Sequence, residues 1–279
     1  MKKCWLRVFM SVLAMCMLLA GASSIKAEAV NLGTAQFIGG KTILVSIFTN
    51  TSKYSWDFDN PDDFQTYSSL YHQLQTAAEW IEEQTAAWNV QSDIEWDWYN
   101  NKDLYYVADL PNVNEEYIDS RYPETLDWFE SHIDVDALTA RYNADNIIFM
   151  WYINTDLYHD EHCHSFQFDY SDLTDSQKGY EGVWFNVHMS GYTMGASAMA
   201  HEILHCFGAV DLYRSSDQIT QSYVDHLKSI NSNDIMYMIY DRPDKITETF
   251  TELDAYYVGL TPSSHDAHVY GLGKSPHLQ

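Results

Sequence analysis

The stretch HEILHCFGAVDLY, residues 201–213, places two histidines four positions apart around a glutamate, followed by a glycine and an aspartate. If these residues form a helix, His201 and His205 project from the same face, one turn apart, and can reach a single metal ion. Glu202 lies about 100° from His201 around the helix axis, beside the two histidines rather than between them. From that position its carboxylate can accept a proton without occupying the metal.

The residues that follow complete a metal-binding pattern. Gly208 stands at the expected C-terminal end of the helix, where a left-handed residue commonly ends a helix and redirects the chain. A sharp turn there can bring Asp211 back toward the two histidines. Three protein ligands that leave a fourth position for water are typical of a catalytic zinc site. For this composition, about 0.03 matches to H-E-x-x-H are expected by chance.

Other interpretations of the same residues stay open. The helix could carry its histidines to solvent without binding a metal. Alternatively, Glu248 or Glu252 could donate the third ligand from a later helix, as in gluzincins. Gly208 and Asp211 favour the first pattern, because a gluzincin needs neither.

Two further segments are candidates for binding metals. The segment YHDEHCHS, residues 158–165, could bind a second metal through His159, His162, Cys163 and His164, although surface histidines are the simpler interpretation. The acidic loop DFDNPDDF, residues 57–64, could bind Ca²⁺, but its spacing does not match the EF-hand loop. Solvent exposure explains that loop more simply.

The first 29 residues are typical of a secretory signal peptide. A basic start is followed by an apolar run from Val8 to Ala20 and then by small-residue pairs suited to cleavage. A membrane anchor or a lipoprotein signal is the alternative, but Cys4 and Cys16 lie too early for the usual lipoprotein cysteine. We therefore expect a secreted, extracellular protein without stable membrane association after cleavage.

Charge and cysteine content narrow the partners of the mature chain. Removing residues 1–29 leaves 11 basic and 39 acidic residues, which would repel nucleic acids and anionic membrane surfaces. The remaining 250 residues suit one domain, or two lobes that share a cleft, and we expect a monomer. Cys163 and Cys206 are the cysteines that survive cleavage, and in an exported chain they are predicted to form a disulfide.

Hydrophobic patterns along the chain predict an α+β fold. We expect strands at residues 41–50, 93–100, 146–153 (central) and 182–189 (at an edge), and helices at 66–88, 115–142 (interrupted near Pro123), from Gly195 to about Phe207, 216–230 and 247–258. These elements would form an upper lobe of about residues 30–208, with a mixed sheet and helices. A smaller, mostly helical or irregular lower lobe would follow at about 209–279.

The pattern H-E-x-x-H-x-x-G-x-x-D resembles that of the metzincin zinc metallopeptidases, in particular the snapalysin-like branch in which aspartate replaces the third histidine. The resemblance implies zinc ligands His201, His205 and Asp211, with Glu202 as the catalytic base. It also implies a methionine-bearing turn under the metal, for which Met236 in NDIMYM is the candidate. The tyrosine that some members place after this methionine corresponds only loosely to Tyr237. The specific resemblance covers residues 195–213 and 233–238.

These observations predict a secreted zinc-dependent endopeptidase that hydrolyses peptide bonds through a zinc-bound water activated by Glu202. Its partners would be protein or peptide substrates. Two alternatives remain: a zinc hydrolase of a non-protein amide on the same scaffold, and an exported metal-binding or adhesion module without catalysis. An intact Glu202 disfavours the second, because structural metal binding does not require it.

Overall fold

A six-stranded mixed sheet forms the centre of the computed structural model, which describes residues 33–113, 118–158, 163–168, 180–189, 191–240 and 245–278. Its strands are β1 (Gly40–Thr51), β2 (Ser92–Glu95), β3 (Tyr105–Leu110), β4 (Asn146–Ile153), β5 (His164–Phe168) and β6 (Tyr180–Asn186). The order is β2-β1-β4-β6-β5, and β3 also pairs with β1. All pairs are parallel except β5 with β6. A separate two-stranded ribbon comprises β7 (His188–Met189) and β8 (Tyr192–Thr193).

Strand β4 is central, as its apolar sequence predicts. Every one of its eight residues is buried, and it lies between the parallel strands β1 and β6. Parallel strands covered on both faces are typically continuous apolar runs of this kind. The prediction that residues 182–189 lie at an edge is wrong, because β6 has β4 on one side and β5 on the other.

Seven α-helices surround the sheet in the part of the chain that the structure describes. They are α1 (Pro61–Ala87), α2 (Ile118–His132), α3 (Val135–Tyr142), α4 (Ala196–Cys206), α5 (Gln221–Ser229), α6 (Glu252–Tyr257) and α7 (His265–Val269), with short 3-10 turns at Lys102–Leu104 and Pro276–Leu278. Helix α1 begins at the acidic loop, where the side chain of Asn60 accepts a hydrogen bond from the Asp62 N–H at 2.9 Å. Its buried face, from Leu70 to Ile81, packs against α4.

Several predicted elements have different bounds in the structure, and two of the differences have a clear local cause. Helix α2 continues through Pro123, and the break falls instead at Ile133 and Asp134, where the Asp134 side chain caps α3. The strand predicted over residues 93–100 ends at Glu95. It ends there because the Asp97 carboxylate accepts hydrogen bonds from the N–H groups of the next residues, Tyr99 and Asn100, and folds the chain into a turn.

The α+β class is confirmed. All six strands of the main sheet precede α4, and the described residues after Gly208 form short helices and loops with one isolated bridge, between Asp234 and Thr249. The predicted signal peptide, residues 1–29, lies outside the described residues. Within the described ranges, no helix is both long and apolar enough to cross a membrane.

The predicted disulfide between Cys163 and Cys206 is absent, and both cysteines are buried. The Cys163 thiol lies 3.5 Å from the carbonyl of Asn186, whereas the Cys206 thiol lies 3.8 Å from the carbonyl of Gly182. These carbonyls are four residues apart on β6, about 13 Å at the rise of a β-strand. The two sulfur atoms are therefore too far apart for an S–S bond of about 2 Å.

Candidate metal centre

Helix α4 presents the two histidines of the motif on one side. Their Nε2 atoms lie 3.0 Å apart, and the rings are nearly perpendicular, at 87°. His201 is 3% exposed. The i, i+4 spacing therefore brings the Nε2 atoms of both imidazoles together, as the sequence predicts.

Asp211 closes a triangle with these histidines. Its Oδ1 lies 3.1 Å from Nε2 of His205 and 3.4 Å from Nε2 of His201. Ligand atoms of a tetrahedral zinc ion with bonds of 2.0–2.1 Å are about 3.3 Å apart. Among the described residues, these three form the group of histidine, cysteine and acidic side chains that could hold a metal ion.

The hydrogen bond that each histidine makes through Nδ1 determines that its Nε2 atom faces the centre. Nδ1 of His201 lies 2.9 Å from the Ile235 carbonyl, and Nδ1 of His205 lies 2.8 Å from the Ala209 carbonyl. Because a carbonyl oxygen can only accept, both Nδ1 atoms carry the proton and donate it. Each neutral ring then directs its Nε2 lone pair at the centre, as metal-binding histidines do.

Three acceptor atoms thus converge, and the local pKa values reflect this. Burial alone would raise the pKa of Asp211, but the neighbouring imidazoles of His201 and His205 hold it well below its ordinary value. For His205, burial alone would lower the pKa, but the neighbouring carboxylates of Asp211 and Glu202 raise it. Both shifts follow from the close contact of acidic groups with the two imidazoles.

Gly208 allows Asp211 to return to the helix. It has φ +99°, in the left-handed region that favours glycine. Its N–H donates to the His205 carbonyl at 2.9 Å, and the N–H of Ala209 donates to the Leu204 carbonyl at 3.1 Å. This pair of bonds is the Schellman motif, which ends α4 and reverses the chain. The same turn places the Ala209 carbonyl against His205.

The second oxygen of Asp211 is held by residues that the sequence analysis missed. Oδ2 accepts hydrogen bonds from the Tyr213 hydroxyl at 2.9 Å and from Arg214 Nη2 at 2.7 Å. These contacts orient the carboxylate so that Oδ1 faces the histidines. Their closeness to Asp211 in DLYR was the available signal, whereas nothing in the sequence marks the carbonyls of Ile235 and Ala209.

Glu202 lies beside the histidines and lines the same cavity. It is 6% exposed, and its Oε2 has no hydrogen-bond partner among the residues that the structure describes. The cavity, about 460 Å³ in volume, is also lined by His201, Tyr213, Arg214 and several apolar side chains. A buried carboxylate oxygen without a partner is costly unless a ligand or water uses it.

Met236 lies in a buried turn that supports the centre through its backbone. The side chain is fully buried, and its carbonyl accepts the N–H of Leu212, next to Asp211, at 2.9 Å. The preceding residue, Ile235, supplies the carbonyl that orients His201. The turn around Met236 therefore contacts His201 directly and Asp211 through its neighbour Leu212, so it supports two of the three candidate ligands.

The alternative third ligands are engaged elsewhere. Glu248 accepts hydrogen bonds from the Ser197 hydroxyl and the Tyr240 N–H, and Glu252 accepts one from the His265 N–H. The structure thus brings Asp211, and neither glutamate, to the histidines. Of the proposed second metal cluster, His159 and His162 lie outside the described residues. In the acidic loop, carboxylates of residues 57–63 accept backbone N–H bonds near the start of α1.

A scan against models of known protein families matched none of them, and no curated protein sequence matched the chain.

Proposed function

We propose that the protein is a zinc-dependent endopeptidase, exported from the cell, in which His201, His205 and Asp211 hold the metal and Glu202 acts as general base. The observation that carries the proposal is the convergence of two Nε2 atoms and one carboxylate oxygen within 3.0–3.4 Å. Beside them lies a buried oxygen of Glu202 that has no hydrogen-bond partner among the described residues. The HExxHxxGxxD resemblance to snapalysin-like metzincins supports it.

The donor set fits zinc in particular. Two neutral imidazoles and one carboxylate are ligands that zinc accepts, and three protein ligands are the number found in catalytic sites. When bound, the ion would supply a Lewis acid for a substrate carbonyl and would lower the pKa of a water molecule. The backbone bonds at both Nδ1 atoms and the contacts at Asp211 Oδ2 keep the ligands oriented.

Glu202 would move the proton. Its Oε2 is free to accept a proton from a water molecule in the cavity and then to pass that proton to the amine that leaves. The cavity, about 460 Å³ in volume, has methionine and tyrosine side chains next to His201, and this lining suits an apolar peptide side chain.

The test is zinc content and cleavage of an unfolded protein, measured side by side on the parent, Glu202→Gln and Glu202→Ala. Both variants should keep one zinc ion per chain and lose cleavage by about 10²–10⁴-fold, the usual effect of removing a general base. Glu83→Gln, an exposed glutamate on α1, is the matched control and should cleave like the parent.

Each other outcome points to a specific alternative. Equal cleavage by parent and Glu202 variants would refute the assignment of the base. If the parent holds zinc but cleaves no peptide in a broad library, the alternatives are a hydrolase of a non-protein amide or a metal-binding module without catalysis. A parent that binds no zinc would refute the proposal itself.

A further inference from the structure

Two buried carboxyl groups outside the metal centre are hydrogen-bonded to each other. Asp234 and Asp254 are each 1% exposed, and each is a side-chain hydrogen-bond partner of the other. Two carboxylates cannot hydrogen-bond unless one carries a proton. Among the described residues, no lysine or arginine forms an ion pair with either of them. The hydrogen bond between the two carboxyls therefore requires one proton on the pair.

Asp234 begins the turn that contacts the metal centre. Its Oδ1 accepts the N–H of Met236 at 2.7 Å, and its carbonyl accepts the N–H of Met238 at 2.9 Å. Between these two anchors, the carbonyl of Ile235 accepts the Nδ1 proton of His201. The orientation of the His201 ring therefore depends on a turn whose shape the Asp234 carboxylate fixes.

Asp254 is held rigidly on its own side. Its Oδ2 accepts the backbone N–H of Thr251 at 2.7 Å and the hydroxyl of the same threonine at 3.2 Å, in the capping box of α6. The chain before the helix is bonded to the turn as well, because the Ile235 N–H donates to the Thr249 carbonyl at 3.0 Å. Asp254 thus offers a fixed partner to Asp234.

The surroundings keep the proton on the pair. Burial raises the pKa of both carboxyls, and the charge of Asp234 raises that of Asp254 further. The hydroxyl of Thr251 also bonds to the pair. Among the described residues, Tyr223 on α5 also interacts electrostatically with both carboxyls, and its hydroxyl donates to Asp266 on α7 at 3.0 Å. The two carboxyls share one proton and titrate as a pair.

We propose that Asp254 and Asp234 form a positioning pair, which fixes the turn at residues 234–238 and through Ile235 orients His201 for the metal. This inference rests on the proposed zinc centre. Neither aspartate touches the substrate or the metal. Their role is to hold the carbonyl that selects the tautomer of His201.

The test uses Asp254→Asn and Asp254→Ala in the full chain, with Asp266→Asn as the matched control. An asparagine amide can donate the hydrogen bond without a titrating proton, whereas alanine removes the donor. Zinc affinity is measured by competition with a chromogenic chelator at several pH values. We expect Asp254→Asn to stay within about threefold of the parent at neutral pH, and Asp254→Ala to bind about 10–100-fold more weakly, the range for loss of an outer-shell partner. Asp266→Asn should match the parent.

A second measurement, the stability of the metal-free proteins against pH, does not depend on zinc. A carboxyl whose pKa is raised on folding stabilises the fold at low pH and loses that stabilisation as pH rises through its pKa in the folded protein. The stability of Asp254→Asn relative to the parent should therefore increase with pH above about 4. If the stabilities of the parent and Asp254→Asn change in parallel with pH, the proposal is overturned. A folded Asp254→Ala with parent-like zinc affinity would overturn it as well. Absence of zinc binding by the parent would instead refute the metal centre.

Discussion

At the scale of single residues, Asp211 distinguishes the proposed metal centre from the gluzincin alternative. One of its oxygens faces the two histidines, and the other is bonded to Tyr213 and Arg214, so the carboxylate links the centre to the loop beyond the helix. From the sequence alone, the third metal ligand could be this aspartate or one of two glutamates, Glu248 and Glu252.

Replacing Asp211 by alanine should weaken zinc binding by more than about 100-fold, because loss of a ligand exceeds the usual effect of losing an outer-shell partner. The fold should remain, since the side chain lies outside α4. Chelator competition measures the affinity, and circular dichroism checks the fold. Asp217→Ala, an exposed acid in the same loop, is the control and should bind zinc like the parent. Parent-like affinity in Asp211→Ala, with loss of binding in Glu248→Ala or Glu252→Ala, would favour the gluzincin pattern.

At the scale of elements, the C-terminal turn of α4 determines the geometry of the centre. The Schellman bonds at Gly208 and Ala209 place one carbonyl against His205 and send the chain on to Asp211. A Cβ at position 208 would lie 2.7 Å from Cγ of Pro276 and 3.2 Å from the carbonyl oxygen of Tyr257. This glycine is therefore required by both its backbone angle and its neighbours.

Gly208→Ala should lower the free energy of unfolding of the metal-free protein by about 1–3 kcal/mol, from the left-handed backbone alone, and by more if the contact with Pro276 cannot relax. Gly271→Ala is the matched control, because Gly271 also has a positive φ, +61°, but nothing lies within 4 Å of its Cβ position. Denaturant titration should rank Gly208→Ala as the less stable variant. Zinc affinity should also fall in Gly208→Ala alone. Equal losses in both variants would mean that the packing at Gly208 contributes nothing.

The sequence predicts elements best where one local pattern dominates. The apolar run of β4 and the helix that carries HExxH are confirmed because burial on both faces and i, i+4 spacing leave a direct mark on the sequence. Strand β5 was missed because its sequence, HSFQF, mixes polar and aromatic residues and is defined by its pairing with β6. The prediction of a disulfide was wrong because the number of cysteines says nothing about the distance between them. The carbonyl of Ile235 could not be predicted, since every residue has one.

At the scale of the whole molecule, the C-terminal segment fastens the end of α4 to α6. The Ser275 hydroxyl, fully buried, donates to the Tyr257 carbonyl at 3.3 Å, and Pro276 lies against Gly208. His277 places its Nε2 2.9 Å from the Phe207 carbonyl, at the last turn of α4. Since that carbonyl only accepts, Nε2 of His277 is the donor. A segment distant in sequence thus donates a hydrogen bond to a carbonyl at the C-terminal end of α4, where the hydrogen bonds of the helix end.

Deleting residues 275–279 should therefore destabilise the metal centre together with the fold. The deletion removes the hydrogen bond to the Phe207 carbonyl and the contact of Pro276 with Gly208, so we expect a loss of about 1–3 kcal/mol in the free energy of unfolding. Zinc affinity should fall as well, because the turn at Gly208 positions both His205 and Asp211.

His277→Ala removes the hydrogen bond to the Phe207 carbonyl and keeps the rest of the segment. Burial lowers the pKa of His277, so its contribution is present above the unfolded pKa of about 6.5 and is lost as pH falls through the folded value. The stability difference between parent and His277→Ala should thus shrink from pH 8 to pH 5. A difference that stays constant with pH, or a deletion variant with parent-like zinc affinity, would show that the segment does not support the centre.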